Sequence, residues 1–352
     1  MIIGRIKFLA AFLILGAVLI TITACSLTGA AKTDNKPLVI KPEDFAVFLF
    51  ESSEEIYRAN VKNPKMWAVL KEQTQQDHDY AAHYSWLYET YAKWDEHRRE
   101  QLNSIMEDYL PQPISERIYR KGKQAAGLDE IIKFIRDDSF FRKQRSTLVD
   151  FYSWYGANYA LPHYERIRPA LQRKADITGG MVEKGFDPVA FMEKETGIKL
   201  KEKPAVELLL NMRMIPVSGF YRGKDSINMV KWSSSPEKIW TISFHEMGHS
   251  FFRTFTGRLS FKYLARKLKK DDQLFKKFEE DVPFTWEGWI EENLVEGFAR
   301  YINVKKGITR SVGEGIYVFD REYAEALVSG FDPQKTSLED FTVKFLKEKY
   351  KI

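Results

Sequence analysis

The chain has 352 residues, of which 44% are hydrophobic and 29% are charged. This is the composition of a folded protein with one large core or two moderate ones, and it excludes wholesale disorder. The formal net charge of +5 at pH 7 is too small to indicate a nucleic-acid partner.

The first residues have the layout of an export signal. Arg5 and Lys7 precede an uncharged stretch, residues 8 to 24, that ends in small residues. Its end, Ile-Thr-Ala-Cys, resembles the lipobox of bacterial lipoproteins, which implies a signal peptide over residues 1 to 24 and lipidation of Cys25. We therefore expect an exported, membrane-anchored lipoprotein of the cell envelope. An uncleaved transmembrane anchor is the alternative, because a bilayer span needs roughly 17 to 25 residues.

The rest of the chain divides by composition and periodicity. Residues 25 to 42 hold few large apolar side chains and two prolines, which predicts a spacer. Residues 43 to 180 are predicted to form a helical domain, since stretches such as 66 to 94 carry apolar or aromatic residues three and four apart among many charges. Residues 181 to 352 are predicted to form a second domain.

Two short runs in the second domain predict strands. Residues 205 to 215 and 226 to 232 show apolar alternation, and the segment between them contains Pro, Gly and Lys-Asp, which suits a hairpin. They predict a small antiparallel sheet with residues 226 to 232 as its edge strand. With helical patterns on either side, we expect a mainly helical α+β protein.

The next segment predicts a helix that could bind a metal ion. Ser235 is a suitable N-cap and Pro236 suits the first helical position, and the helix is expected to end near Phe255. It contains the H-E-x-x-H pattern His245-Glu246-Met247-Gly248-His249. Histidines four apart share one helix face, so both imidazoles could lie about 2.0 to 2.1 Å from one ion. Glu246 is turned by about 100° and could act as general base on a water molecule that the ion activates.

The pattern alone is not decisive. H-E-x-x-H arises by chance in roughly one chain of this length in a hundred, so two histidines with a structural role are the alternative. Gly248 supports the metal site, because a glycine inside a helix costs up to about 1 kcal/mol relative to alanine and needs a reason. We expect a close-lying strand that holds the substrate to be that reason.

Residues 261 to 278 predict a basic amphipathic helix, with an apolar row against seven lysines and arginines. Such a helix could contact anionic lipid beside an anchored membrane. The alternative, which is the commoner arrangement, is a core stripe covered by a solvated basic face.

A second helix carries the third candidate ligand. Residues 286 to 303 are helical by spacing, with Glu296 off the apolar row. Residues 294 to 299, Leu-Val-Glu-Gly-Phe-Ala, resemble the third-ligand helix of the gluzincin metallopeptidases. Together with H-E-x-x-H they make residues 205 to 310 similar to the core of that superfamily. The resemblance implies a thermolysin-like zincin core with one zinc ion per chain, bound by His245, His249 and Glu296, and with Glu246 as general base.

Other residues near Glu296 leave the ligand set open. Glu292 competes as third ligand, because it lies one turn before Glu296 on much the same face. If Glu296 binds the ion, Glu292 or Arg300 could support the ligands from behind. A solvated ion pair between Glu296 and Arg300 is the ordinary alternative.

In gluzincins, a Tyr or His beyond the third ligand usually stabilises the oxyanion of the tetrahedral intermediate. No His follows His249 in this chain, so the candidates are Tyr317 and Tyr323, with His163 of the helical half as a further one. Each of the three is also compatible with an ordinary packed side chain.

Two departures from the family pattern argue against aminopeptidase activity. His249 and Glu296 are 47 positions apart, more than in the zinc aminopeptidases of this superfamily, and the Gly-x-Met-Glu-Asn motif of those enzymes is missing. We therefore expect an endopeptidase that cleaves peptides or proteins outside the cytoplasmic membrane. The alternatives are a non-catalytic surface-binding lipoprotein with a structural or vestigial zinc site, and a hydrolase of cell-wall amides.

Overall fold

The computed structural model describes residues 37 to 109, 111 to 180, 186 to 213, 218 to 280 and 285 to 352. The predicted signal peptide, Cys25 and the predicted spacer up to residue 36 lie outside these residues. The described chain is mainly helical with a small mixed sheet, which confirms the α+β class. None of its helices is long and apolar enough to cross a membrane.

The strands are β1 (Leu38–Pro42), β2 (Val206–Asn211), β3 (Ser218–Arg222) and β4 (Asp225–Lys231). The helices are α1 (Phe45–Tyr57), α2 (Pro64–Gln73), α3 (His78–Ala92), α4 (Glu96–Asp108), α5 (Pro111–Arg120), α6 (Leu128–Asp137), α7 (Arg145–Tyr155), α8 (Leu161–Gly180), α9 (Pro188–Thr196), α10 (Pro236–Thr256), α11 (Leu259–Leu268), α12 (Asp272–Glu280), α13 (Trp286–Lys306), α14 (Asp320–Gly330) and α15 (Leu338–Tyr350).

The sheet has the strand order β1-β2-β4-β3. β1 and β4 both run parallel to β2, and β3 pairs antiparallel with β4. The predicted antiparallel sheet is therefore wrong. The reason is that residues 218 to 222 form a strand of their own, β3, which turns at Gly223 (φ +65°) into β4. The predicted edge strand is wrong as well, since β4 lies between β2 and β3.

The end of the predicted spacer is also a strand. Leu38–Pro42 pairs along its whole length with β2, and Leu38 is buried. The predicted spacer thus contributes a strand to the sheet of the second half. One continuous core cluster contains buried residues from both halves, such as Phe48 and Phe244. The division at residue 180 stays a prediction.

The two helices predicted to carry the metal ligands are confirmed as α10 and α13. The Ser235 hydroxyl accepts a hydrogen bond from the backbone N–H of Lys238 at 3.2 Å and caps α10. α10 packs against α13, and a Cβ added at Gly248 would lie 3.1 Å from Val295 Cγ1. The close neighbour of Gly248 is therefore a helix and not the strand that we expected.

The basic segment forms two helices instead of one. α11 ends at Leu268, and Asp271 starts α12 by accepting a hydrogen bond from the backbone N–H of Leu274 at 2.8 Å. An apolar period that continues across residues 261 to 278 does not reveal this capping residue, because a capping aspartate fits the polar face of one long helix equally well.

Gly297 makes the tightest contact on α13. A Cβ at this position would lie 2.5 Å from the backbone oxygen of Asp320 in α14. We expect Gly297→Ala to lower the free energy of unfolding by about 1 to 3 kcal/mol, because the two helices must separate. Gly179→Ala is the matched control. Beyond its own helix turn, no atom of the described residues lies within 4 Å of a Cβ added there, and helix propensity favours alanine by up to about 1 kcal/mol. Urea unfolding measures both, and a Gly297→Ala protein as stable as the wild type would contradict the packing.

Candidate metal centre

His245 and His249 lie one turn apart on α10 and face α13. Their ring centroids are 5.0 Å apart, and both side chains are largely buried. On α13, Glu291, Glu292 and Glu296 lie opposite them. Two imidazoles and three carboxylates therefore meet where the two helices cross.

Glu292 lies between the Nε2 atoms of the two histidines. Its Oε2 is 3.2 Å from His245 Nε2, and its Oε1 is 3.6 Å from His249 Nε2. One ligand atom from each of the three side chains lies within 4.8 Å of the others. Ligand atoms of a tetrahedral zinc ion are about 3.3 Å apart, given bonds of about 2.0 to 2.1 Å. The spacing therefore fits a single ion after small side-chain adjustments.

The other ring nitrogen of each histidine also faces a carboxylate. His245 Nδ1 is 3.0 Å from Glu296 Oε2, and His249 Nδ1 is 2.9 Å from Glu291 Oε1. An ionised carboxylate only accepts, so both Nδ1 atoms donate a proton to these bonds. In a neutral ring this leaves the Nε2 lone pair directed toward Glu292, as metal ligation requires.

The structure places Glu292, and not Glu296, among the Nε2 atoms. Glu296 instead holds His245 Nδ1 with one oxygen, and its Oε1 is 3.0 Å from Arg300 Nη2. The geometry thus favours Glu292 as the third ligand and Glu296 as a supporting residue, the reverse of the preferred assignment from the sequence. The small residues after Glu296 have another role, since Gly297 lets α14 approach.

Arg300 forms an ion pair with Glu296. Besides its contact with Glu296, its guanidinium lies 3.2 Å from Asp320 Oδ2 and donates to the backbone oxygen of Val312 at 2.8 Å. These contacts fix Arg300 behind the site, so the ion pair with Glu296 is buried and not the solvated pair of the ordinary alternative.

The charges of the site favour a cation between the helices. Burial acts to lower the pKa of His245, but the hydrogen bonds and charges of Glu292 and Glu296 outweigh burial and raise that pKa well above its usual value. Burial acts to raise the pKa of Glu296, but the hydrogen bond and charge of His245, together with Arg300, lower it to about 2.

Glu246 points away from the carboxylates, toward the sheet. Its Oε2 accepts hydrogen bonds from the Tyr221 hydroxyl at 3.0 Å and from the Ser226 hydroxyl at 2.7 Å. Asn228 donates in turn to Ser226 at 2.7 Å. The Tyr221 ring meets the His249 ring edge-on, with centroids 6.2 Å apart. β3 and β4 therefore hold Glu246 beside the histidines.

Sequence reasoning missed Tyr221 and Glu291. Tyr221 belongs to β3, a strand that the sequence pattern does not predict. Glu291 adjoins Glu292, and a helix turn that presents two adjacent carboxylates opposite two histidines was the available signal. Burial and the charge of Glu246 raise the pKa of Tyr221, so its hydroxyl stays a proton donor near neutral pH.

The predicted oxyanion stabilisers have other surroundings. Tyr323 is buried and its hydroxyl shares a 2.6 Å hydrogen bond with Thr342, so it is a packed tyrosine. His163 on α8 stacks on Trp86 at 3.8 Å and shares a 3.0 Å hydrogen bond with His83. Tyr317 precedes α14, where its backbone N–H donates to Asp320 at 3.2 Å.

A cavity of about 350 Å³ adjoins the site. It lies between α10, α13 and residues 309 to 316, and its walls include Lys238, Thr241, Glu296 and Arg300. Thr241 is one turn before His245 on α10, so the cavity continues the groove between the helices beyond the His245–Glu296 pair.

Comparison with known proteins leaves the geometry as the main guide to function. No model of a known protein family matches the sequence, no curated protein is similar to it, and no solved structure matches its fold.

The lowered pKa of Glu296 predicts how the free energy of unfolding changes in acid. The folded-state pKa of about 2 lies below the ordinary value of 4.5, so Glu296 stabilises the fold above pH 4.5 and this stability is lost as the pH falls through 2. With zinc chelated, we expect wild-type stability to fall between pH 5 and pH 2 by about 3 kcal/mol more than that of Glu296→Gln. Urea unfolding at several pH values measures this. Glu279→Gln, which removes an exposed carboxylate of α12, is the control, and equal slopes for wild type and Glu296→Gln would contradict the pairing.

Proposed function

We propose that the chain is a zinc-dependent metallopeptidase in which His245, His249 and Glu292 bind one zinc ion. One observation supports this most strongly: both Nε2 atoms face the carboxylate of Glu292, while each Nδ1 is held by a carboxylate of its own. Two structural histidines need no shared carboxylate between them. A bound zinc ion would polarise a substrate carbonyl and lower the pKa of a water molecule toward about 7.

Glu246 is the proposed general base. A carboxylate beside the ligands can accept a proton from the attacking water and return it to the leaving amine. Tyr221 and Ser226 both donate to Oε2, which holds the carboxylate in one orientation. Tyr221 is the proposed donor to the developing oxyanion, in place of Tyr317, Tyr323 and His163. Its hydroxyl stays protonated and would turn from Glu246 Oε2 to the oxyanion, while Ser226 keeps hold of the carboxylate.

The position of β3 in the sheet favours a peptide as the substrate. β3 ends the strand order of the described sheet and carries Tyr221 to the site. An extended peptide paired with β3 through main-chain hydrogen bonds would pass beside Glu246. The cavity lined by Lys238 and Thr241 offers room for a neighbouring substrate side chain. We therefore propose an endopeptidase, since main-chain pairing along β3 does not require a free terminus of the substrate chain.

Glu246 also favours an enzyme over the alternatives. A structural zinc site in a surface-binding lipoprotein has no use for a carboxylate that two hydroxyls orient beside the ligands. A cell-wall amide hydrolase would use the same groups, so substrate profiling must separate it from a peptidase. Export, lipidation at Cys25 and the thermolysin-like core remain part of the proposal.

Hydrolysis of a mixed peptide library by the zinc-loaded full chain tests the function. We expect Glu246→Gln to lower kcat/KM by about 10² to 10⁴-fold while one zinc ion stays bound, because the general base is lost and the ligands are not. Tyr221→Phe should lower kcat about tenfold or more, again with zinc retained. Glu279→Gln on α12 is the control.

Mass spectrometry of the products and zinc analysis of each variant supply the readouts. Wild-type hydrolysis by a zinc-bound Glu246→Gln protein would contradict the assigned base. Cleavage of cell-wall fragments without cleavage of any peptide would instead assign the same site to amide hydrolysis.

A further inference from the structure

The predicted apolar row of α11 packs in the core. Phe261, Leu264 and Leu268 are buried, which confirms the core-stripe interpretation for these residues. Two large apolar side chains nevertheless point outward: Leu259 is 84% exposed and Tyr263 is 62% exposed. These are the two most exposed large hydrophobic residues in the described part of the chain. They are four residues apart, so they adjoin on one face of the helix.

Positive charge surrounds this pair. The segment from 258 to 270 contains six basic residues and no acidic residue, and the basic residues are Arg258, Lys262, Arg266, Lys267, Lys269 and Lys270. Lys262, Arg266 and Lys270 are exposed and follow one another at four-residue spacing. None of the three forms an ion pair with an acidic residue among those that the structure describes. The Lys267 ammonium lies 5.0 Å from the centre of the Tyr263 ring.

We propose that α11 docks on the surface of a bilayer that contains anionic phospholipid. Leu259 and Tyr263 insert among the headgroups, and Lys262, Arg266 and Lys270 contact the phosphates. Single exposed apolar residues are common on protein surfaces, but an adjoining pair beside three cations that form no ion pair within the described residues complements an anionic lipid surface. A protruding leucine suits lipid better than an acidic protein, because lipid deforms around it while a protein must supply a pocket.

Docking would orient the proposed metal centre relative to the membrane. α10 leads directly from His249 into α11, and the seven residues to the end of α10 rise by about 10 Å along the helix axis. The site would then lie close to the bilayer. The docking surface itself does not depend on the proposed function, and its test needs no activity.

The test uses the full chain in vesicles, with an environment-sensitive dye on a single cysteine. Cys25→Ser removes the one natural cysteine, and Leu259→Cys introduces the labelling site. We expect blue-shifted, enhanced dye emission in vesicles with anionic phosphatidylglycerol, and no shift in pure phosphatidylcholine. One molar salt should reverse the shift, because it screens the surface charges. Cys25→Ser removes the proposed lipidation site, so the uncharged residues 8 to 24 of the full chain serve as the anchor, and flotation of the vesicles checks that the chain is attached in both lipids.

Two variants test whether the dye shift depends on α11 and on its positive charges. Ile177→Cys on α8 carries the dye at a position that is 57% exposed, and should give the same emission in both lipids. Replacing Lys262, Arg266 and Lys270 by Gln should lower the ratio of docked to undocked chain about 100-fold, since each basic residue contributes about fivefold. Equal emission from position 259 in both lipids, or equal shifts at 259 and 177, would overturn the proposal. The substituted side chains are exposed, so circular dichroism should show an unchanged fold.

Discussion

The site depends on the close crossing of α10 and α13 at Gly248. With no side chain there, Val295 and Phe298 of α13 pack directly on the α10 backbone, where an added Cβ would lie 3.1 and 3.3 Å from them. At that separation, histidines four apart on one helix meet glutamates four apart on the other. An added Cβ at 248 would require Val295 and Phe298 to shift by a few tenths of an ångström, and longer side chains would require the helices to separate. The helix crossing thus sets the geometry of the candidate metal centre.

The charges at the crossing explain the division of roles between the two glutamates. Arg300 lies behind Glu296 and compensates its charge, so Glu296 can remain ionised in a buried place and hold His245 Nδ1. Glu292 has no arginine behind it among the described residues, and its carboxylate directs one oxygen toward each Nε2. A half-buried carboxylate between two ring nitrogens favours a cation that all three can share. On the opposite side, Tyr221 and Ser226 of the sheet donate hydrogen bonds to Glu246 of α10 and hold it beside the same histidines.

Much of this arrangement could be predicted from local sequence signals. The Ser235 cap, the Pro236 start and the apolar rows were sufficient for α10 and α13, since capping and helical periodicity are local properties. The sheet was not predictable in the same way, because its two parallel pairings join β1, β2 and β4 across long sequence separations. The choice between Glu292 and Glu296 could not be made from the sequence, because both residues share a face of α13 and only the crossing with α10 brings Glu292 to the Nε2 atoms.

In the proposed metal centre, Glu292 joins His245 and His249 around one zinc ion while Glu296 supports His245 from behind. A crystal structure of the zinc-loaded protein, with anomalous diffraction recorded at the zinc edge, is the decisive test of this arrangement. We expect one zinc peak about 2.0 to 2.1 Å from both Nε2 atoms and from a Glu292 oxygen, with the contact between His245 Nδ1 and Glu296 preserved. A zinc ion bound by Glu296 in place of Glu292, or no peak between the histidines at saturating zinc, would contradict it.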